Sequence, residues 1–284
     1  ISKKVTLVKV SSLKDTLLSR EIITTEPTLT STSLDAGDVT GLYKSTETNS
    51  GEPTYYFRGD VEDNYVSFAS QTWRIVRINE DETIRLVMQN GINNNTNYVF
   101  NSNINSVNYM YYTNSNAKIA IDNWYNSNIG NNETYLKHVV SGDYYCEQAK
   151  VKRVNSENSN MLFYKNYTPN FKCETDEKGK GIVNSNIGLL TYDEYIYAGG
   201  YIIADSVGNN SYYNSQAKRS YTMSPAGYYS SEQATEWAVD NGIGYLTVYH
   251  GVGPLYAILR PVINLKSDTN MVGSGTIDDP YVVK

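Results

Sequence analysis

Nowhere in the 284 residues do 18 apolar side chains follow one another, so no stretch reads as a bilayer-spanning helix. Charge is scarce as well. Asp, Glu, Lys and Arg make up 19% of the chain, and the formal net charge is −6. That balance disfavours nucleic acid and anionic membranes as partners. Histidine is limited to His138 and His250, and cysteine to Cys146 and Cys173. Two sulfurs alone make a poor zinc site, and only His138 lies near them in sequence. The cysteines are open to three readings: free thiols, metal ligands or one disulfide. We expect the disulfide, which closes a loop of roughly 28 residues and contributes about 3–4 kcal/mol in the chain-entropy picture. An exported, extracellular or cell-surface protein goes with it. The chain opens on Ile1 rather than Met, as expected after signal removal or trimming.

What fills the space left by charge is Asn, Ser, Thr and 27 tyrosines. Tyrosine brings a stacking face and a hydroxyl, which suits exposed recognition surfaces. It also suits strands. Residues 72–88 organise the rest: two β-rich runs flank the polar turn Asn79-Glu80-Asp81-Glu82, a hairpin pattern. In its second strand Ile84, Leu86 and Met88 share one face. The first strand splits less cleanly, with Trp73 and Ile75 set against Val76 and Ile78. Arg74, Arg77 and Arg85 either lie on an open, solvated face or, if covered, need carboxylate or carbonyl partners.

Around this hairpin, Tyr55-Tyr56-Phe57-Arg58 and residues 65–69 read as strands. Ala117, Ala120, Ile121 and Trp124 form one helical face, capped by Ser115 or Asn116 and ended by Gly130. A second helix opens on Thr191 and Glu194, at capping-box spacing, and closes at Gly199-Gly200. Residues 90–109 read as a long Asn-rich loop. Residues 234–248 read as a hairpin, and Tyr281-Val282-Val283 as a closing strand. Residues 258–265 form a strand whose Pro261 requires an edge or a bulge. The expected class is α+β: mainly antiparallel twisted sheets, two short flanking helices and long loops. Residues 1–40 are expected to be an extension or linker carrying one short helix, and 41–284 a single β-rich domain.

Several stretches together resemble a family of exported proteins of Gram-positive, mostly gut-dwelling bacteria. They include Tyr55-Tyr56-Phe57-Arg58-Gly59, residues 68–77, Ile121-Asp122-Asn123-Trp124-Tyr125, Tyr145-Cys146, Phe171-Lys172-Cys173, residues 187–200, Tyr221-Thr222-Met223-Ser224-Pro225, residues 260–266 and 275–282. The resemblance runs from about residue 41 onward and implies location more than activity. Ser224-Pro225 followed by Arg260-Pro261-Val262 also resembles the C-type-lectin-like fold, which includes formylglycine-generating enzymes. The calcium-binding Glu-Pro-Asn, Gln-Pro-Asp and Trp-Asn-Asp triplets of its sugar-binding members are absent, and no cysteine follows Cys173. Neither activity carries across.

Chemistry-bearing constellations are few. A Ser224–His250 dyad lacks the glycines of a nucleophile elbow. Asp60, Glu62 and Asp63, and likewise Asp278 and Asp279, read as solvated turns rather than calcium sites. No catalytic residue, metal or cofactor is therefore assigned. What remains is aromatic density: Tyr212, Tyr213, Tyr228, Tyr229, Trp237, Tyr245 and Tyr249, with Tyr221 and Tyr256 nearby. Flat rings suit sugar faces and protein hot spots alike. The expected function is a non-catalytic module binding a glycan or a host or bacterial surface protein through this cluster. A stalk domain without its own ligand, or a hydrolase using Ser224 and His250, are the other classes.

Overall fold

The computed structural model describes residues 11–27, 29, 40–102, 107–150, 168–202, 213, 218–228, 234–239, 245–250 and 257–284. At its centre β6 (Gln71–Ile78) and β7 (Ile84–Met88) form the expected hairpin. β14 (Val262–Leu265) adds to the outer edge of β7. The other edge of β6 is shared by β5 (Tyr65–Phe68) on its first half and β4 (Thr54–Arg58) on its second. From β4 the sheet continues to β3 (Gly41–Ser45) and β2 (Ile22–Ile23). From β5 it runs through β16 (Tyr281–Val283) and β15 (Asn270–Val272) to β1 (Ser11–Ser12). Among the described strands of this sheet, β16 with β5 and β2 with β3 pair in parallel and the others antiparallel. A two-stranded ribbon, β8 (Asp143–Cys146) with β9 (Ile182–Ser185), stands apart from this sheet. A second sheet holds β10 (Tyr201–Ile202), β11 (Ser220–Tyr228), β12 (Ala234–Val239) and β13 (Tyr245–His250). The class is α+β, as read from the sequence.

The uneven alternation of β6 has a cause. Pairing with β7 runs Trp73 opposite Met88 and Ile75 opposite Leu86, then slips so that Arg77 faces Arg85 and Ile78 faces Ile84. Val76 is the extra residue of a β-bulge. Side chains alternate along a strand, so without the bulge Arg77 would join Trp73 and Ile75. With it, one face carries Trp73, Ile75, Ile78, Ile84, Leu86 and Met88, and the other carries Arg74, Arg77, Arg85 and Val87.

Both faces are covered. Against the apolar face lies α2 (Asn116–Tyr125), whose Trp124 meets Trp73 edge to face at 6.2 Å. Ser115 caps this helix by accepting from the Lys118 N–H at 3.0 Å. Past Tyr125 the helix widens into a π-type turn, Asn126–Gly130, and stops at the expected glycine. Against the charged face lies α3 (Tyr192–Ala198). Its Tyr197 packs on Tyr56, which also stacks on Tyr43 of β3. Gly199 ends α3 at φ +119°, a conformation that favours glycine, and Arg58 donates to the Ile196 and Tyr197 carbonyls there.

Residues 11–23 are knitted into this body. α1 (Leu13–Leu18) buries Leu13 and Leu17 in the main core, while β1 and β2 take opposite ends of the sheet. Of the expected extension, at least this part is built in. Pro261 precedes β14, and its carbonyl accepts the Met88 N–H at 2.8 Å. The far edge of β14 carries only isolated bridges, at Val139 and Gly188.

Candidate functional site

The bulge at Val76 places two guanidinium groups opposite each other on adjacent strands, an arrangement that like-charge repulsion disfavours. Glu194 answers it. This residue is the N3 position of α3, and its Oε2 accepts the Thr191 N–H at 2.9 Å while the Thr191 hydroxyl accepts the Glu194 N–H at 3.2 Å. The same carboxylate reaches the sheet. Its Oε1 lies 2.5 Å from Arg85 Nε and 3.3 Å from Arg77 Nε. Burial alone would raise the Glu194 pKa, but Arg85, Arg77 and the Thr191 N–H outweigh it and hold the carboxyl below its ordinary range. Arg77 is pulled down by burial, with Glu194 opposing. One carboxylate thus serves as helix cap and as counter-ion to two arginines.

These three side chains form the floor of a cleft of about 80 Å³. Aromatic rings shape it. The Arg77 guanidinium sits 4.7 Å from the centre of the Phe171 ring, and that of Arg85 4.8 Å from Tyr145. Gly188 makes room for Tyr145, since a Cβ there would meet its ring at 2.3 Å. Tyr145 Oη then donates to the Val262 carbonyl at 3.0 Å. Cys146 and Cys173 are joined as expected, with Cα atoms 5.8 Å apart, and the bridge lines the cleft. The segment carrying Phe171 and Cys173 is pinned to the loop after β3. The Phe171 N–H donates to the Glu47 carbonyl, and that of Cys173 to Asn49 Oδ1, each at 2.8 Å.

Lys150 and Lys172 stand at the mouth. Lys150 pairs with Asp193 at 3.1 Å, and Lys172 with Glu47 at 2.7 Å. Four cations and two carboxylates, Glu80 and Glu194, line the cleft. Glu80 is bound by the Ser50 N–H at 2.8 Å and by its hydroxyl. The β8–β9 ribbon completes the rim. Tyr144 and Ile182 both line the opening, 66% and 51% exposed. The residues between them in each strand, Tyr145 and Val183, are buried. A wider groove of about 390 Å³ continues past Lys150, Asn170 and Lys172 to Glu174, Asp176 and Glu177.

Of the aromatic and dyad residues singled out from the sequence, the described ones are not in the lining of this cleft. Tyr213 is buried, its ring 5.3 Å from the Arg74 guanidinium. Tyr212, Tyr229 and Tyr256 lie outside the described residues. Tyr228, Trp237, Tyr245 and Tyr249 lie on strands whose register puts Tyr228 opposite Ala234, Trp237 opposite Val248, Glu236 opposite Tyr249 and Tyr201 opposite Tyr245; their side chains are outside the description. Tyr221 is buried against Phe100 at 5.3 Å. Ser224 and His250 stand on β11 and β13 with β12 between, and Ser224 Oγ accepts the Tyr192 N–H at 2.8 Å. Asp63 pairs with Arg20 at 2.9 Å, and Asp279 accepts the Ser274 N–H at 2.9 Å. Among the described residues no three His, Cys, Asp or Glu side chains are grouped to hold a metal ion.

The Arg77–Arg85–Glu194 floor was partly visible in the sequence. The arginines read either as solvated or as covered and in need of partners, and the capping box named Glu194, but nothing local linked them across more than a hundred residues. Comparison with protein-family models, curated proteins and solved structures finds no match.

Proposed function

We propose that the chain is a non-catalytic recognition module of an exported, cell-surface protein, and that its ligand docks at the disulfide-walled cleft. The carrying observation is the rim. A tyrosine and an isoleucine stand exposed beside a cleft whose floor is charged and whose walls are pinned by a disulfide. An exposed aromatic next to preorganised polar groups is the usual make-up of a small-ligand or glycan site. The disulfide supports an oxidising compartment, and among the described residues no helix is long and apolar enough to cross a membrane. Resemblance to the exported Gram-positive family and to C-type-lectin-like folds belongs to the same proposal. Antiparallel sheets, two flanking helices and long connecting segments support it. In this reading the aromatic residues that β11, β12 and β13 carry provide a second contact region.

A glycan and surface-protein array tests it, probed with wild type, a Tyr144→Ala/Ile182→Ala variant and a Tyr228→Ala/Tyr229→Ala variant. Loss of a binding anchor costs about 2 kcal/mol or more, so affinity should fall roughly thirtyfold in the first variant. A drop confined to the second variant moves the site to the C-terminal sheet. No ligand for the wild type supports a stalk domain, and turnover of a bound glycan supports a hydrolase.

A further inference from the structure

Resting on that reading, we infer that the cleft binds the carboxylate of an acidic sugar. The argument starts from a donor count. Two guanidinium groups bring ten N–H donors. Against them the described residues set the two oxygens of Glu194 and the Thr54 hydroxyl, which accepts from Arg77 Nη1 at 3.3 Å. Arg77 Nη2 and Arg85 Nη1 have no acceptor among the described residues, although the side chains are only 15% and 2% exposed. Neither nitrogen is among the enclosed orphan atoms, and both arginines line the cleft, so these donors are open to an acceptor that enters it. A ligand carboxylate suits them, because its two oxygens match the planar fork of arginine.

The surroundings narrow the ligand. Asn49, Asn170 and Thr191 add amide and hydroxyl groups suited to sugar hydroxyls, and the exposed Tyr144 ring offers a stacking face. Cations at the mouth sit on a chain whose net charge is −6, and Glu174 and Glu177 line the adjoining groove. A densely charged polyanion is repelled by that setting; a sugar with one carboxylate among neutral neighbours is not.

Calorimetric titration of the full chain tests this with three probes: a galactose trimer in which one residue is galacturonic acid, the all-galactose trimer of equal length, and an acidic tripeptide. The acidic trimer should bind about tenfold or more tighter than the neutral one, with affinity falling as salt rises. Lys172→Ala and Tyr144→Ala change exposed side chains and keep the fold. Lys172→Ala should remove much of the preference for the acid, and Tyr144→Ala should weaken both sugars. Equal affinity for the two trimers overturns the inference, as does binding of the peptide alone or binding indifferent to both substitutions. If the array yields a ligand while neither trimer binds, the inference fails and the recognition reading stands. If nothing binds anywhere, both fail.

Discussion

The two faces of the β6–β7 hairpin are built from the same strands yet solve opposite problems. One buries Trp73, Ile75, Ile78, Ile84, Leu86 and Met88 against α2, a contact in which every group gains from leaving water. The other buries Arg77 and Arg85 against Glu194 of α3, a contact that costs desolvation and returns it only through good geometry. A single extra residue, Val76, separates the two outcomes. Apolar packing needs only a match of shape and volume, so it holds the fold. The charged face sets fixed donors along the cleft, and the proposed ligand site rests on them.

The comparison is broken most severely from its apolar side. Trp73 is fully buried, and its Nε1 donates to the Phe68 carbonyl at 2.9 Å. Trp73→Ala should cost about 3–5 kcal/mol in denaturant unfolding; a loss under 1 kcal/mol would mean the Trp73–Trp124 contact is not central. Next comes the bridge that walls the charged side. Replacing both cysteines with alanine should lower stability by about 3–4 kcal/mol, and a midpoint unchanged from wild type would contradict the chain-entropy argument. Glu194→Gln should follow, at about 3 kcal/mol, since it strands two buried guanidinium groups. The sharper version replaces Arg77, Arg85 and Glu194 together with methionine. If the charged face serves ligand rather than fold, that variant should be close to wild type in stability while losing binding.

The same carboxylate sets a pH dependence. A folded pKa held below the unfolded one means Glu194 contributes its full stabilisation above the ordinary carboxylate pKa. That contribution is lost as pH falls through the lower, folded value. Wild type should therefore lose more stability on acidification below about pH 4.5 than Glu194→Gln does. Parallel acid limbs for the two proteins would remove Glu194 from the account. The smallest expected effect is at the helix caps. Ser115→Ala on the apolar side should cost about 1 kcal/mol. Thr191→Ala should cost more, because Thr191 also orients the carboxylate that both arginines need. Equal losses at the two caps would erase the distinction.

How much of this was legible follows the same division. Local signals were read correctly: the central hairpin, the Ala117–Ile121–Trp124 stripe, the Thr191–Glu194 capping box and the pairing of the two cysteines. The bulge was visible only as an untidy alternation, because the slip at Val76 is defined by the partner strand. Arg77 and Arg85 could be read as solvated or as needing partners, because Glu194 is 117 and 109 residues away. Ser11 and Ser12 looked like part of an extension because a two-residue strand has no periodicity to detect; their partners are Met271 and Asn270. The sequence reading looked to the C-terminal aromatic cluster; the exposed ring at the cleft, Tyr144, belongs to a Tyr-Tyr doublet beside Cys146 whose other ring is core.

The position of β16 has a consequence for how the chain reaches its native state. This strand lies between β15 and β5, so Tyr281 and Val282 join Val66 and Ser67 to the segment that holds Ser11 and Ser12. Contacts between residues so distant in sequence close large loops before they are rewarded, which slows folding. The main sheet cannot be completed until residues 281–283 have been synthesised. If the chain is exported as proposed, this delay keeps it open for passage through a secretion pore, and the cysteines meet afterwards.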